Sequence, residues 1–221
     1  MATTGKTTGP TATAPAAAEQ PWLTPQRIRI LGIAGAVVLV AGLIIWFMIT
    51  AGHRKEAYAA NALEQARGAA EQGNPGAAVQ QLTEVATRYA GTSAAYEAHV
   101  EIAKARLILG QNELALATLT DFLKTNPPPI YAAAANSLMG TAYENTAKYP
   151  EAEAAYKKAS SLASMDYLKA NDLLDAARAA RLAGKPDDAK ALYNEIITTY
   201  AKTGAVTEAK VRLAELTGGV S

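Results

Sequence analysis

The sequence predicts an all-α fold: a helical solenoid of about four helix pairs closed by a C-terminal capping helix, behind one N-terminal transmembrane helix. Three observations carry that expectation. Half of the 221 residues are hydrophobic, yet only 6% are aromatic and 19% charged. Alanine supplies much of the apolar content, which suits helices packed at close range through small side chains. A single uncharged run of 23 residues, Ile30 to Gly52, stands near the N-terminus. Beyond it, turn segments and small residues recur at a fixed spacing of 37.

The first twenty residues contain sixteen Ala, Thr, Gly or Pro and two charges, Lys6 and Glu19. Such a stretch cannot bury enough apolar surface to offset its ordering entropy, so residues 1–26 read as a disordered tail. Gly5-Lys6-Thr7 matches the close of a phosphate-binding loop only by accident, because that motif needs a preceding strand and an earlier glycine.

The uncharged run lies between Arg27 and Arg29 on one side and Arg54 and Lys55 on the other. At about 1.5 Å per residue a helix of this length covers roughly 34 Å, enough for a hydrocarbon core of about 30 Å. Residues 28–52 are therefore assigned to a transmembrane helix, with Trp22 and Trp46 suited to its interfaces. A buried soluble helix would not be apolar on all faces for so long. A cleaved signal peptide would have a shorter apolar core, about 7 to 15 residues, nearer the start. The flanking cations nearly balance, so charge alone leaves the orientation open.

From residue 54 to 221 apolar residues recur at three- and four-residue spacing, punctuated by Gly, Asn and Pro. The turns beginning at Gly73, Gly110, Ala147 and Gly184 are each 37 residues apart. In phase with them are four alanines (Ala78, Ala115, Ala152, Ala189) and four small residues before the turn (Ala66, Ala103, Gly140, Ala177). A large apolar position follows, at Leu82, Leu119, Tyr156 and Tyr193, and then Val85, Phe122, Ala159 and Ile196. Each unit reads as two antiparallel helices whose small residues let the backbones approach, with large residues filling the space toward the next pair. Units fall near 56–92, 93–129, 130–166 and 167–203, with a cap over 205–217. One unit cannot bury its apolar face alone; stacking makes a continuous core.

These positions resemble the tetratricopeptide repeat family, most fully in Met139-Gly140-Thr141-Ala142-Tyr143 followed by Tyr149-Pro150-Glu151-Ala152 and Tyr156. The period exceeds the family's usual 34 or so, and the extra residues are expected in the second helix or its exit loop. The layout of tail, span and repeats also resembles the bacterial single-pass ancillary subunit of the Sec translocon. That second resemblance implies an inner-membrane protein with its N-terminus in the cytoplasm and its repeats in the periplasm. It further implies protein partners among translocon subunits and periplasmic chaperones.

The residues offer no enzyme chemistry. Cysteine is absent, which excludes disulfides and thiolate sites, and two histidines cannot build a histidine-rich metal centre. There is no glycine-rich phosphate loop or zinc-protease motif, so no cofactor and no small-molecule substrate are expected. A net charge of +1 gives no bulk attraction to nucleic acid. His99 reads as a packed or solvent-facing helix residue. Pro127-Pro128-Pro129 ends one helix and starts the next.

One constellation goes beyond packing. One residue after each small position come Arg67, Lys104, Thr141 and Arg178, with Arg181 a turn beyond. The family resemblance implies that first helices line a concave groove, where these residues would form a basic track for a carboxylate or an acidic peptide. Glu97 and Glu144 share that face and would interrupt it. The plain alternative is a set of solvated helix charges, whose removal changes stability by roughly 0.5 kcal/mol or less. The function expected is a membrane-anchored protein–protein interaction scaffold at the translocon or another envelope complex. The alternative is a structural, self-associating or envelope-assembly repeat protein, of a kind linked to cell division, that binds no client.

Overall fold

A computed structural model describes residues 24–218. The expected disordered tail over 1–26 lies, but for its last three residues, outside the described residues. The chain divides into two compact units, one ending at Thr50 and one beginning at Ala51. Among the described residues there are nine helices and no strand.

Helix α1 spans Pro25–Glu71. In the first unit its apolar side chains, from Ile28 to Ile49, are exposed. This helix is long and apolar enough to cross a membrane. Its later residues Ala59, Leu63 and Ala66 belong instead to the core of the second unit.

That second unit is a run of antiparallel helices, each packed on the next. They are α2 (Pro75–Arg88), α3 (Ser93–Ile108), α4 (Asn112–Lys124), α5 (Pro129–Asn145), α6 (Tyr149–Leu162), α7 (Asp166–Leu182), α8 (Pro186–Thr199) and α9 (Ala205–Thr217). Additional contacts join α3 to α5 and α7 to α9, and ion pairs join α1 to α3 and α5 to α7, so the odd-numbered helices form one layer. The fold is the solenoid of helix pairs that the 37-residue period implies, and the tetratricopeptide-like one that the resemblance implies. The second helices hold 13 or 14 residues. The first helices α3, α5 and α7 are the longer partners, at 16 or 17.

Packing follows the repeat. Ala78, Ala115, Ala152 and Ala189 are each 0% exposed, as close backbone approach requires. Leu82, Leu119, Tyr156 and Tyr193 are among the largest fully buried side chains. Unit three shows why its small position is glycine. A Cβ on Gly140 would lie 2.5 Å from the Tyr156 ring, so the larger aromatic is accommodated by removing a methyl opposite it.

The turn inside each unit is also repeated. The N–H groups of Asn74, Gln111, Lys148 and Lys185 donate to the carbonyls of Ala69, Arg106, Tyr143 and Ala180, five residues earlier, at 2.8–3.0 Å. Each closes a Schellman cap, which needs a left-handed residue just past the helix. Glycine supplies it at Gly73, Gly110 and Gly184, with φ of 72° to 78°; Ala147 takes the same place at φ 56°. Acidic residues open the second helices, Glu151 in α6 and Asp187 and Asp188 in α8, where they oppose the helix dipole.

Candidate functional site

The layer of odd-numbered helices carries all five residues of the expected track, four at successive repeat positions and Arg181 one turn beyond Arg178. Arg67 on α1 is held by Glu64 at 2.6 Å on its own helix and by Glu97 on α3, with Glu101 at 3.8 Å. Burial works against its charge, but the bonds to Glu64 and Glu97 prevail and raise its pKa. Lys104 on α3 donates to Glu101 at 2.8 Å. Arg178 on α7 meets Glu144 of α5 through two parallel bonds, Nε to Oε1 at 2.7 Å and Nη2 to Oε2 at 2.8 Å. Its Nη1 donates to Asp175 at 2.6 Å.

Thr141, the one uncharged member, shares a hydrogen bond of 3.2 Å with the Tyr156 hydroxyl, which donates to Glu144 at 3.0 Å. Thr141, Tyr156, Glu144, Arg178 and Asp175 therefore form one polar network joining units three and four. The Arg178 bonds pull the Glu144 carboxyl below its usual pKa despite partial burial. Burial instead raises that of Asp175, against the attraction of Arg178. Arg181 is exposed and makes no ion pair among the described residues.

Glu97 and Glu144 do more than interrupt the track: each binds an arginine of the neighbouring repeat. The other neutralising acids follow the repeat too. Glu64, Glu101 and Asp175 each stand three residues before a track cation, the spacing that places them on the same helix face. That signal is present in the sequence beside the cations themselves.

Two cavities open on this layer. One, of about 350 Å³, lies between α1, α2 and α3 and is bordered by Arg67, Glu101, Lys104 and Ile108. The other, of about 320 Å³, is framed by α3, α5 and α7, with Val100, Leu138 and Leu168 among its walls. Lys104 borders both. Asp172 lines the second cavity beside Ser137, although it is only 9% exposed. Burial pushes its carboxyl up to about 6, with repulsion from Asp175 adding to the effect. No track position marks Asp172, because its neighbours come from three repeats.

His99 is packed, stacked on Phe122 at 4.8 Å with burial lowering its pKa. No group of three or more His, Asp or Glu able to hold a metal occurs among the described residues.

Comparison with known proteins agrees with this geometry. The family model described as a tetratricopeptide repeat-like domain matches residues 47–175, and a tetratricopeptide repeat model matches 173–203. The chain belongs to the tetratricopeptide repeat family. Solved structures share the fold of this repeat protein. A kinesin-light-chain-type protein of Podosopora anserina with nearly identical TPR-like repeats is similar with a TM-score of 0.59 at 18% identity. That match covers 74% of this chain and 87% of the other. A tetratricopeptide repeat protein from Parabacteroides merdae gives a TM-score of 0.57 at 12% identity, over 72% and 60% of the two chains. No curated protein matches the sequence.

Proposed function

We propose that this chain is a membrane-anchored scaffold that binds protein partners through its odd-helix layer. Tetratricopeptide repeats generally bind proteins, and the observation that carries the reading is the layer itself, with two apolar cavities and a repeating array of charged groups. Shape and a few polar contacts supply affinity on such a surface. An anchor in the first half of α1 would raise the local concentration of the scaffold at a membrane complex. Arg67, Lys104, Thr141, Arg178 and Arg181 remain the track candidates. An acidic partner would have to compete with internal carboxylates at Arg67, Lys104 and Arg178, whereas Arg181 is already open to it.

The finer reading is an inner-membrane protein with its repeats in the periplasm, serving the Sec translocon or its chaperones. Its support is the resemblance in layout. Purification of the full chain in mild detergent, followed by mass spectrometry, is expected to recover subunits of a membrane complex. Recovery of the chain with no such partner, as self-associated oligomers in density-matched sedimentation, would favour the structural alternative. A compartment-specific reporter fused after Ser221 should be active outside the cytoplasm; activity inside it would remove the translocon reading.

A further inference from the structure

The cavity between α3, α5 and α7 combines two features, an apolar wall and a buried acid. Its walls are mainly apolar, with Val100, Leu138 and Leu168 contributing. Its border holds a buried carboxylate, Asp172, which no cation neutralises: among the described residues no basic group makes an ion pair with it. The lysine that shares the cavity, Lys104, is engaged by Glu101 at 2.8 Å. The Ser137 hydroxyl lines the same cavity and is neutral, so it supplies no counter-charge. A buried carboxylate without a counter-charge is costly, and a bound cation relieves that cost.

A cavity of about 320 Å³ is at the small end of the range for ligand sites, roughly 300–1,000 Å³, and suits one or two side chains. A metal ion would need several oxygen ligands, whereas one carboxylate faces this space. Lysine and arginine match both features at once, because their aliphatic stems lie along apolar walls while the cationic head meets an anion.

We propose that this cavity is a docking pocket for a basic side chain of a partner polypeptide, which inserts along Val100, Leu138 and Leu168 to pair with Asp172. The inference rests on the scaffold reading and assigns the partner's chemistry at one point of the layer.

The test uses the full chain in detergent micelles and a displayed library of random twelve-residue peptides, selected on the wild type. Selected peptides should share a Lys or Arg beside apolar residues. A synthesised copy should bind Asp172→Asn roughly 10–100-fold more weakly, as expected for loss of a charge-assisted hydrogen bond. Changing the peptide's basic residue to Gln should weaken binding to the wild type by a similar factor, and should add nothing on Asp172→Asn. Leu168→Lys, which brings a cation to the cavity from within, should also exclude the peptide.

Peptides that bind Asp172→Asn as well as the wild type would overturn the pocket and leave the scaffold reading standing. Acidic peptides that depend on Arg181 would do the same in favour of the basic track. A library from which the wild type retains nothing would remove both.

Discussion

At the scale of single residues, two side chains are governed by space and solvent rather than by their place in the repeat. Asp172 is buried beside Ser137, with Asp175 on its own helix and Lys104 across the cavity, and its carboxyl is pushed up to about 6 from an ordinary value near 3.8. The folded state therefore holds the proton more tightly than the unfolded chain. The resulting destabilisation is fully present above about pH 6 and disappears as pH falls through the folded value toward the unfolded one. Asp172→Asn should melt higher than the wild type at pH 8, by an amount on the order of 1–2 kcal/mol once solvent screening of the carboxyl is allowed for. That advantage should shrink to a small remainder near pH 4 and vanish below the unfolded value of 3.8, and an advantage unchanged between pH 8 and pH 4 would show that the carboxylate is not strained. Gly140 presents the opposite case, where a methyl has no room against the Tyr156 ring. Gly140→Ala should cost about 1–3 kcal/mol. Combining it with Tyr156→Leu restores the alanine–leucine pairing of the first two units and should recover part of that loss in thermal melting.

At the scale of elements, the turn inside each helix pair does the same work four times with one substitution. Ala147 occupies the left-handed position that glycine fills in the other three units, and its Cβ makes that backbone unfavourable. Ala147→Gly should therefore stabilise the protein by about 0.5–1 kcal/mol, the relief of backbone strain less the greater unfolded-state entropy of glycine. Gly110→Ala should cost about 1 kcal/mol although a Cβ there meets nothing within 4 Å, because the penalty is conformational and not steric contact. Chemical denaturation of the two variants would check both signs. The turns were legible in sequence as a period; their cap geometry explains why glycine recurs.

At the scale of the whole repeat domain, adjacent units are tied by ion pairs across the odd-helix layer. Arg178 of unit four clasps Glu144 of unit three, and Arg67 of unit one meets Glu97 of unit two. Such pairs add a polar interface term to the apolar stacking that makes repeat arrays cohere. Removal of Arg178 leaves the Glu144 carboxylate with only the Tyr156 hydroxyl, so Arg178→Ala should cost about 1–2 kcal/mol. Arg181→Ala, at an exposed side chain, should stay within about 0.5 kcal/mol. Parallel melting of the two variants tests whether these arginines, three residues apart on one helix, serve different ends.

The sequence by itself determined the helical class, the repeat phase, the small and large positions of each helix pair, and one segment long and apolar enough to cross a membrane. These are properties of spacing and composition, which local geometry converts directly into buried faces. The sequence also placed Arg67, Lys104, Thr141, Arg178 and Arg181 on one layer, because a fixed period keeps residues in register. The acids three residues before the cations, Glu64, Glu101 and Asp175, were legible too, but only the tertiary structure decided which charges are neutralised from a neighbouring repeat. Whether Arg178 faces solvent or Glu144 depends on how closely two repeats approach, and periodicity does not contain that distance. The same holds for Asp172: its burial, its raised pKa and its cavity arise from three helices that meet in space while lying far apart along the chain.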